Sequence, residues 1–130
     1  MYCWSVDWQM LFNTDKCKTL HFGYNNVNNE YMLGNEIIKS CDEERDLGVI
    51  ISRTLKSSSQ CVAAAKSANR ILGTISRTFV NKDSKTMLKL YQSLVRTKLE
   101  YCVQAWIPYL QKDIDLLETV QKRATLLMIK

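Results

Sequence analysis

The strongest constraint on the fold is a change in the spacing of apolar residues near position 57. Before this position, apolar and polar residues alternate in short runs such as "KCKTLHF" (residues 16–22), which is typical of strands. After it, apolar residues recur every three or four positions, which is typical of helices packed on a core. The single proline and four glycines in 130 residues also favour long regular elements. We therefore predict an α+β chain in two parts, residues 1–55 and residues 57–130.

The first part contains short and incomplete elements. Trp4, Trp8 and Leu11 share one helical face, so "WSVDWQMLF" predicts the end of a helix whose beginning we expect to lie outside this sequence. The strand predicted over residues 16–22 carries His21, which we expect to be half-exposed rather than a ligand or a base. "EYMLGNEII" predicts a small antiparallel hairpin with the pair Gly34-Asn35 at its tip.

A second strand is predicted at "LGVIIS", residues 47–52, with Gly48 inside it. A glycine within a strand marks either a bulge or the close approach of another backbone or a ligand. The preceding acidic residues Asp42, Glu43 and Glu44 predict a solvated turn. If they formed a strand, neighbouring carboxylates would point to opposite faces and could not readily converge on a metal ion.

In the second part, residues 57–130, the spacing of apolar residues predicts a bundle of three helices. The first covers about residues 58–79 and begins with Ser57-x-x-Gln60, the spacing of a capping box. The second is capped by Asn81 or Asp83 and continues to about Trp106. The third begins near residue 112, runs toward the end of the sequence, and carries the helix-stabilising pair Glu118 and Lys122.

Three aromatic residues in "LEYCVQAWIPYL", residues 99–110, could either stack on nucleic-acid bases or fill a core. Leu99, Cys102, Trp106 and Tyr109 follow one another at intervals of 3, 4 and 3, the spacing of one stripe on a helix. This spacing places them on one face, which favours packing against the core.

One face of the first predicted helix is basic. Lys66, Arg70, Gly73 and Arg77 fall within a narrow sector, opposite the apolar residues of the same helix. Such a stripe can follow a phosphate backbone, with the cations neutralising charge and the glycine permitting close approach. The alternative is the solvated outer face that every amphipathic helix has.

Charge and cysteine content narrow the class of partner and the compartment. The formal charge of +5 mildly favours a polyanionic partner. Five cysteines without a CxxC pair predict reduced thiols and no zinc site, hence an intracellular protein, nuclear or cytoplasmic and not secreted. The apolar N-terminus is too short and too polar for a signal peptide or a membrane span, so we expect no membrane partner.

Three blocks of the sequence resemble the region that follows the catalytic aspartates in reverse transcriptases of non-LTR retrotransposons, the LINE elements, especially the jockey-like group. The blocks are "DWQMLFNTDKCKTLHFG", "ERDLGVIIS" and "LYQSLVRTKLEYCVQAWIPYLQKDIDLLETVQKRAT". Their order and spacing fit across essentially the whole chain, and the third block is long and specific.

The resemblance implies a piece of an RNA-directed DNA polymerase. Residues 1–55 would be the last part of the palm, and residues 57–130 a helical thumb or connection. Lys16, in the pattern Asn13-x-x-Lys16, would lie near the incoming nucleotide and help to protonate the pyrophosphate leaving group in the complete enzyme. Without the resemblance, Lys16 would be interpreted as a solvent-facing lysine at a strand edge.

The resemblance also assigns nucleic-acid contacts. Leu47, Gly48 and Val49 resemble the primer grip, in which the backbone holds the end of the primer. The basic stripe would face the template–primer duplex. Two positions depart from the family pattern: Thr97 replaces a frequent proline and would allow a straighter helix, and Ile107 replaces a serine and adds an apolar side chain.

The carboxylates that hold the two catalytic metal ions lie upstream in this family, and we find no equivalent pair here. We therefore expect magnesium only in the complete polymerase and no enzyme activity or cofactor in the isolated chain. The expected partners are a weakly bound RNA/DNA primer–template duplex, the missing palm and fingers region, or a second copy. The alternatives are a small protein-interaction or scaffold module and a non-functional translated relic of a mobile element.

Overall fold

The computed structural model describes residues 2–80 and 83–129 as a mixed α+β chain. It divides into two compact units, Met1–Lys56 and Ser57–Lys130. The N-terminal unit contains α1 (Tyr2–Asp7), a 3₁₀ turn (Thr14–Lys16), β1 (Lys18–Leu20), β2 (Met32–Leu33), β3 (Glu36–Ile37), β4 (Lys39–Cys41), β5 (Glu43–Asp46) and β6 (Val49–Ser52). The C-terminal unit contains α2 (Ser58–Thr78), α3 (Ser84–Leu90), a π-helical segment (Tyr91–Arg96), α4 (Thr97–Glu100), α5 (Val103–Trp106) and α6 (Gln111–Ile129).

The strands of the N-terminal unit form three separate pairs. β1 runs parallel to β4, with Lys18 opposite Lys39 and Leu20 opposite Cys41. β2 and β3 form the predicted antiparallel hairpin. Gly34 at its tip has a φ of +65°, and a Cβ atom there would lie 2.7 Å from the Tyr2 ring. A larger residue at position 34 would therefore require the ring or the turn to move.

The first elements are shorter than predicted. Helix α1 ends at Asp7, so Leu11 lies outside it, although the rings of Trp4 and Trp8 remain 6.3 Å apart. The strand begins at Lys18, and Lys16 belongs to the preceding 3₁₀ turn. His21 lies beyond the end of β1 and is 8% exposed, with its ring 6.0 Å from that of Tyr31. The prediction of a half-exposed strand histidine was wrong because aromatic packing covers the ring.

The predictions for residues 42–49 were also wrong. Glu43–Asp46 forms strand β5, which pairs with β6, so the acidic run is not a solvated turn. Gly48 is not inside a strand. Leu47 and Gly48 form the two-residue connection between β5 and β6, with φ values of 46° and 86°. Two adjacent left-handed residues suit a tight hairpin turn because their twist matches that of the flanking strands.

The C-terminal unit has a continuous hydrophobic core. Small residues on one side of α2 let the other helices approach closely, and branched residues from α6 and the π-helical segment fill the space between them. The buried members of this core are Ala65, Ala68, Leu72, Ile75, Met87, Val95, Leu99, Val120 and Ala124. The first and third predicted helices are present as α2 and α6. Lys122 and Glu118 of α6 form the predicted ion pair, with 3.4 Å between Nζ and Oε2.

The second predicted helix is interrupted twice. Asp83 caps its start, because its Oδ2 accepts a hydrogen bond from the Thr86 N–H at 3.2 Å. Asn81, the other predicted cap, lies outside the described residues. A π-helical segment then separates α3 from α4, so the helix is not the straighter one expected from Thr97. The backbone leaves the helix again before Cys102, whose φ of 51° is left-handed.

This second interruption breaks the single face predicted for Leu99, Cys102, Trp106 and Tyr109. Leu99 and Trp106 are 6% and 3% exposed, as expected for core positions, but Cys102 and Tyr109 are exposed. The indole Nε1 of Trp106 donates a hydrogen bond to the Tyr101 carbonyl at 2.8 Å, which closes the turn. The prediction of one continuous face through Tyr109 was wrong because the turn redirects the chain after Glu100.

The predicted capping box at the start of α2 is replaced by a contact between helices. The Ser57 side chain makes no capping hydrogen bond. Instead, the Ser58 hydroxyl donates to Oδ2 of the buried Asp113 at 2.6 Å. This bond joins the first turn of α2 to the first turn of α6, and neither partner could be identified from local spacing.

Candidate nucleic-acid interface

The basic stripe lies on the outer side of α2. Lys66, Arg70 and Arg77 are exposed, and Gly73 between them is half-buried. The opposite side of the helix is buried in the core through small and branched residues. The core thus orients the helix and holds the three cations toward solvent.

Gly73 leaves an open surface within the stripe. Apart from the backbone of its own helix and its chain neighbours, a Cβ atom added at this position would meet no heavy atom of the described residues within 4 Å. The Arg77 Nε donates a hydrogen bond to the Gly73 carbonyl at 3.2 Å, so one guanidinium lies along the helix next to the glycine. The surface can therefore admit a backbone close to the helix, with a cation beside it.

The stripe is not neutralised by neighbouring acids. Salt bridges among residues 2–80 and 83–129 join Lys18 to Glu44, Arg53 to Asp42, Arg96 to Glu100 and Lys122 to Glu118. None of these pairs includes a cation of the stripe. The positive potential of this face is available to an external anion.

The segment that resembles the primer grip occupies the tip of the β5–β6 hairpin. Leu47 is 83% exposed and Gly48 is exposed, whereas the Val49 side chain is 8% exposed. The three residues therefore divide into an accessible turn and a strand residue that anchors it. The turn is the part of this hairpin that is accessible to a ligand.

Lys16 lies beside a cleft of about 370 Å³ in the N-terminal unit. The cleft is lined by charges of both signs, including Lys18, Glu44, Arg45 and Asp46. Lys18 donates to Glu44 at 2.5 Å, and this hydrogen bond raises the pKa of Lys18 and lowers that of Glu44. Lys16 itself is exposed, and it lies in a 3₁₀ turn rather than at a strand edge.

The predicted site residues therefore fall into two groups. The stripe residues share one helix face of the C-terminal unit. Lys16 and the hairpin tip belong to the N-terminal unit, where Asp46, next to the tip, lines the same cleft as Lys16.

Sequence reasoning missed Lys98, an exposed residue of α4. Lys98 and Arg70 both line a groove of about 570 Å³ in the C-terminal unit. A signal was present in the spacing, because Leu94 and Lys98 are four residues apart and share a helix face.

The carboxylates of Asp42 and Glu44 each lie beside a basic side chain. Glu44 is bonded to Lys18, and Asp42 lies 3.8 Å from Arg53, so both carboxylates face cations. Within the described segments, no three histidine, cysteine or acidic side chains lie close enough to share a metal ion. Nor does any described helix have the length and apolar character needed to cross a bilayer.

Comparison with protein-family models, with curated proteins and with solved structures gives no match to this chain.

Proposed function

We propose that the chain is the end of the palm and the helical thumb of a non-LTR retrotransposon reverse transcriptase, and that α2 binds the phosphate backbone of a primer–template duplex. The observation that carries this proposal is the stripe on α2. Three exposed cations that have no salt bridge among residues 2–80 and 83–129 surround an open glycine, on a helix whose other side is held by the core. Counterion release from a nucleic acid makes such contacts favourable and sensitive to salt.

The hairpin tip is proposed as a second contact. The exposed residues Leu47 and Gly48 at its tip suit a grip that uses backbone groups, as in the family that the sequence resembles. Lys16 is proposed to act only in the complete polymerase, as a proton donor to the leaving group. The isolated chain is proposed to bind a duplex weakly and not to extend it.

The test is the salt dependence of binding to an RNA–DNA hybrid. Each phosphate contact contributes roughly 0.9 to the slope of log affinity against log salt. Replacing Lys66, Arg70 and Arg77 by alanine should therefore reduce that slope by about 3. The matched control replaces Lys85, Lys89 and Lys112, exposed cations on other helices, and removes the same charge.

An equal reduction of the salt slope in the two triple variants would show that only net charge affects binding, and it would contradict the proposed interface. Extension of the hybrid by the purified chain in magnesium would contradict the proposal that the isolated chain binds a duplex without extending it. An open reading frame directly upstream that encodes the catalytic aspartates would support membership in a complete polymerase, and a frame interrupted by stop codons would favour a relic.

A second function is favoured by a separate observation. Large apolar side chains are exposed in the N-terminal unit, among them Trp8 at 66%, Leu11 at 74% and Val27 at 82%. Such residues suit a protein-interaction or scaffold module, which would associate without sensitivity to salt. Self-association unaffected by added salt, together with no hybrid binding, would support this alternative.

A further inference from the structure

A groove of about 570 Å³ lies in the C-terminal unit, between α2 and the helix that contains the π-helical segment. Ile71, Ile75 and Phe79 line it from α2, and Leu94 lines it from the facing helix. Residues spaced by four form a ridge along a helix, and a third helix packs by placing its own side chains beside such a ridge. The volume lies within the range of roughly 300–1,000 Å³ in which proteins bind ligands.

Three of the four hydroxyl groups that line the groove donate hydrogen bonds within their own helices. Thr74 donates to the Arg70 carbonyl at 3.1 Å, Ser93 to that of Lys89 at 2.8 Å, and Thr97 to that of Ser93 at 3.1 Å. An occupant would therefore gain little by hydrogen bonding to these side chains. Between its charged residues, the groove offers mainly apolar contact.

Charge determines what kind of apolar occupant fits. Arg70 lies on the α2 wall and Lys98 on the α4 wall, and both side chains are exposed. Neither belongs to a salt bridge within the described ranges, and no carboxylate is among the residues that line the groove. An occupant with acidic residues on both sides of its apolar face is complementary, whereas a second copy of this chain, at +5, is repelled.

We propose that this groove binds an amphipathic helix of a partner protein, with its apolar face against Ile71, Phe79 and Leu94 and its acidic residues beside Arg70 and Lys98. Helix-in-groove recognition uses anchors at spacings of three and four, which match the ridge on α2. The proposal does not depend on the nucleic-acid interface, although Arg70 belongs to both surfaces.

The probe is a synthetic helical peptide of about 18 residues, with leucines at helical spacing and glutamates along both sides of the leucine face. A matched peptide carries lysine in place of every glutamate. Binding to the full chain is measured by titration, with amide NMR shifts to locate the contact. We expect saturable binding of the glutamate peptide, shifts at Ile71, Phe79 and Leu94, and affinity for the lysine peptide at least about tenfold weaker.

Two variants assign the binding to the groove. Leu94→Ser, at a position already 45% exposed, removes apolar contact and should weaken binding about tenfold without unfolding the chain. The double change Arg70→Glu and Lys98→Glu should reverse the preference, so that the lysine peptide binds more tightly. The control double change Lys85→Glu and Lys112→Glu alters net charge equally and should leave the preference unchanged.

Three outcomes would overturn the proposal. The first is no saturable binding of the glutamate peptide up to about 1 mM. The second is equal binding of both peptides, or the same effect from the groove and control variants. The third is competition by an RNA–DNA hybrid whose own affinity falls in Leu94→Ser, which would assign the groove to nucleic acid.

Discussion

Gly73 is the residue at which stability and the proposed function make opposite demands. Glycine inside a helix costs free energy because the unfolded chain loses more backbone freedom than with alanine. The space around Gly73 is open, so no contact with the other described residues explains why this position has glycine rather than a larger residue. A close approach by a nucleic-acid backbone would explain the presence of glycine at this position.

Gly73→Ala should therefore raise the free energy of unfolding by about 1 kcal/mol, as measured by urea denaturation. The proposed interface further predicts that the same variant binds the RNA–DNA hybrid less tightly, because the added methyl group keeps the backbone away. Ser67→Ala, at a half-buried position on another side of α2, is the control for a small change within the helix. Unchanged hybrid affinity in Gly73→Ala would remove the argument for close approach.

Cys61 differs from the other thiols in its surroundings. It is fully buried, whereas Cys3 and Cys102 are exposed. Burial, reinforced by the negative charge of Asp113, raises the pKa of the Cys61 thiol above its ordinary value of 9.0. The native chain thus favours the neutral, unreactive thiol.

The pH dependence follows from this shift in pKa. Because the unfolded thiol loses its proton at a lower pH than the folded one, the contribution of Cys61 to stability is complete below about pH 9 and is lost as the pH rises further. In urea denaturation between pH 7 and 10, the free energy of unfolding should fall more steeply with pH in the wild type than in Cys61→Ala. Cys3→Ala should retain the wild-type slope, and parallel slopes in all three would contradict the assigned cause.

Among the elements, the helix between α2 and α6 departs most from its expected form. Periodicity predicted one helix to Trp106, yet the chain forms α3, a π-helical segment and α4, and then turns at Cys102. A π-helical segment has more residues per turn than an α-helix and so changes which side chains face inward. Val95 and Leu99 are both buried in this arrangement, so the interrupted helix still supplies the core.

The turn at Cys102 depends on Trp106. Its indole is buried and supplies the hydrogen bond to the Tyr101 carbonyl at 2.8 Å. Trp106→Phe should lower the free energy of unfolding by about 2 kcal/mol, because the ring leaves a small cavity and the carbonyl loses its donor. Tyr109→Phe alters an exposed ring and should have an effect below about 0.5 kcal/mol. Equal stability of the two variants in thermal denaturation would show that this hydrogen bond does not hold the turn.

At the scale of the whole molecule, the two units differ in how their backbone hydrogen bonds are protected. The strands of the N-terminal unit are two to four residues long and pair only two by two. Isolated two-stranded sheets are marginally stable in water. The C-terminal unit places its long helices around a continuous core.

Native-state hydrogen exchange should therefore be slowest in α2 and α6 and much faster in β1–β6, because local opening costs least where few apolar contacts are broken. The exposed segment of residues 24–30 provides an internal reference for unprotected amides. Protection of the strands equal to that of the helices would contradict the expectation that the N-terminal unit is marginal.

The sequence alone determined the features that depend on neighbouring residues. The helical period located α2 and α6, the Gly34-Asn35 pair located a hairpin tip, and the spacing of Lys66, Arg70 and Arg77 predicted one exposed face. These inferences hold because residues three or four apart on a helix, or two apart in a turn, are neighbours in space whatever the rest of the chain does.

Only the tertiary structure decided the features made by distant residues. The parallel pairing of β1 with β4, the bond from Ser58 to Asp113 and the groove between Arg70 and Lys98 each join positions that are more than twenty residues apart. Local spacing carries no information about such partners, since their meeting depends on how the core packs. For the same reason the π-helical segment and the left-handed Cys102 were not predicted.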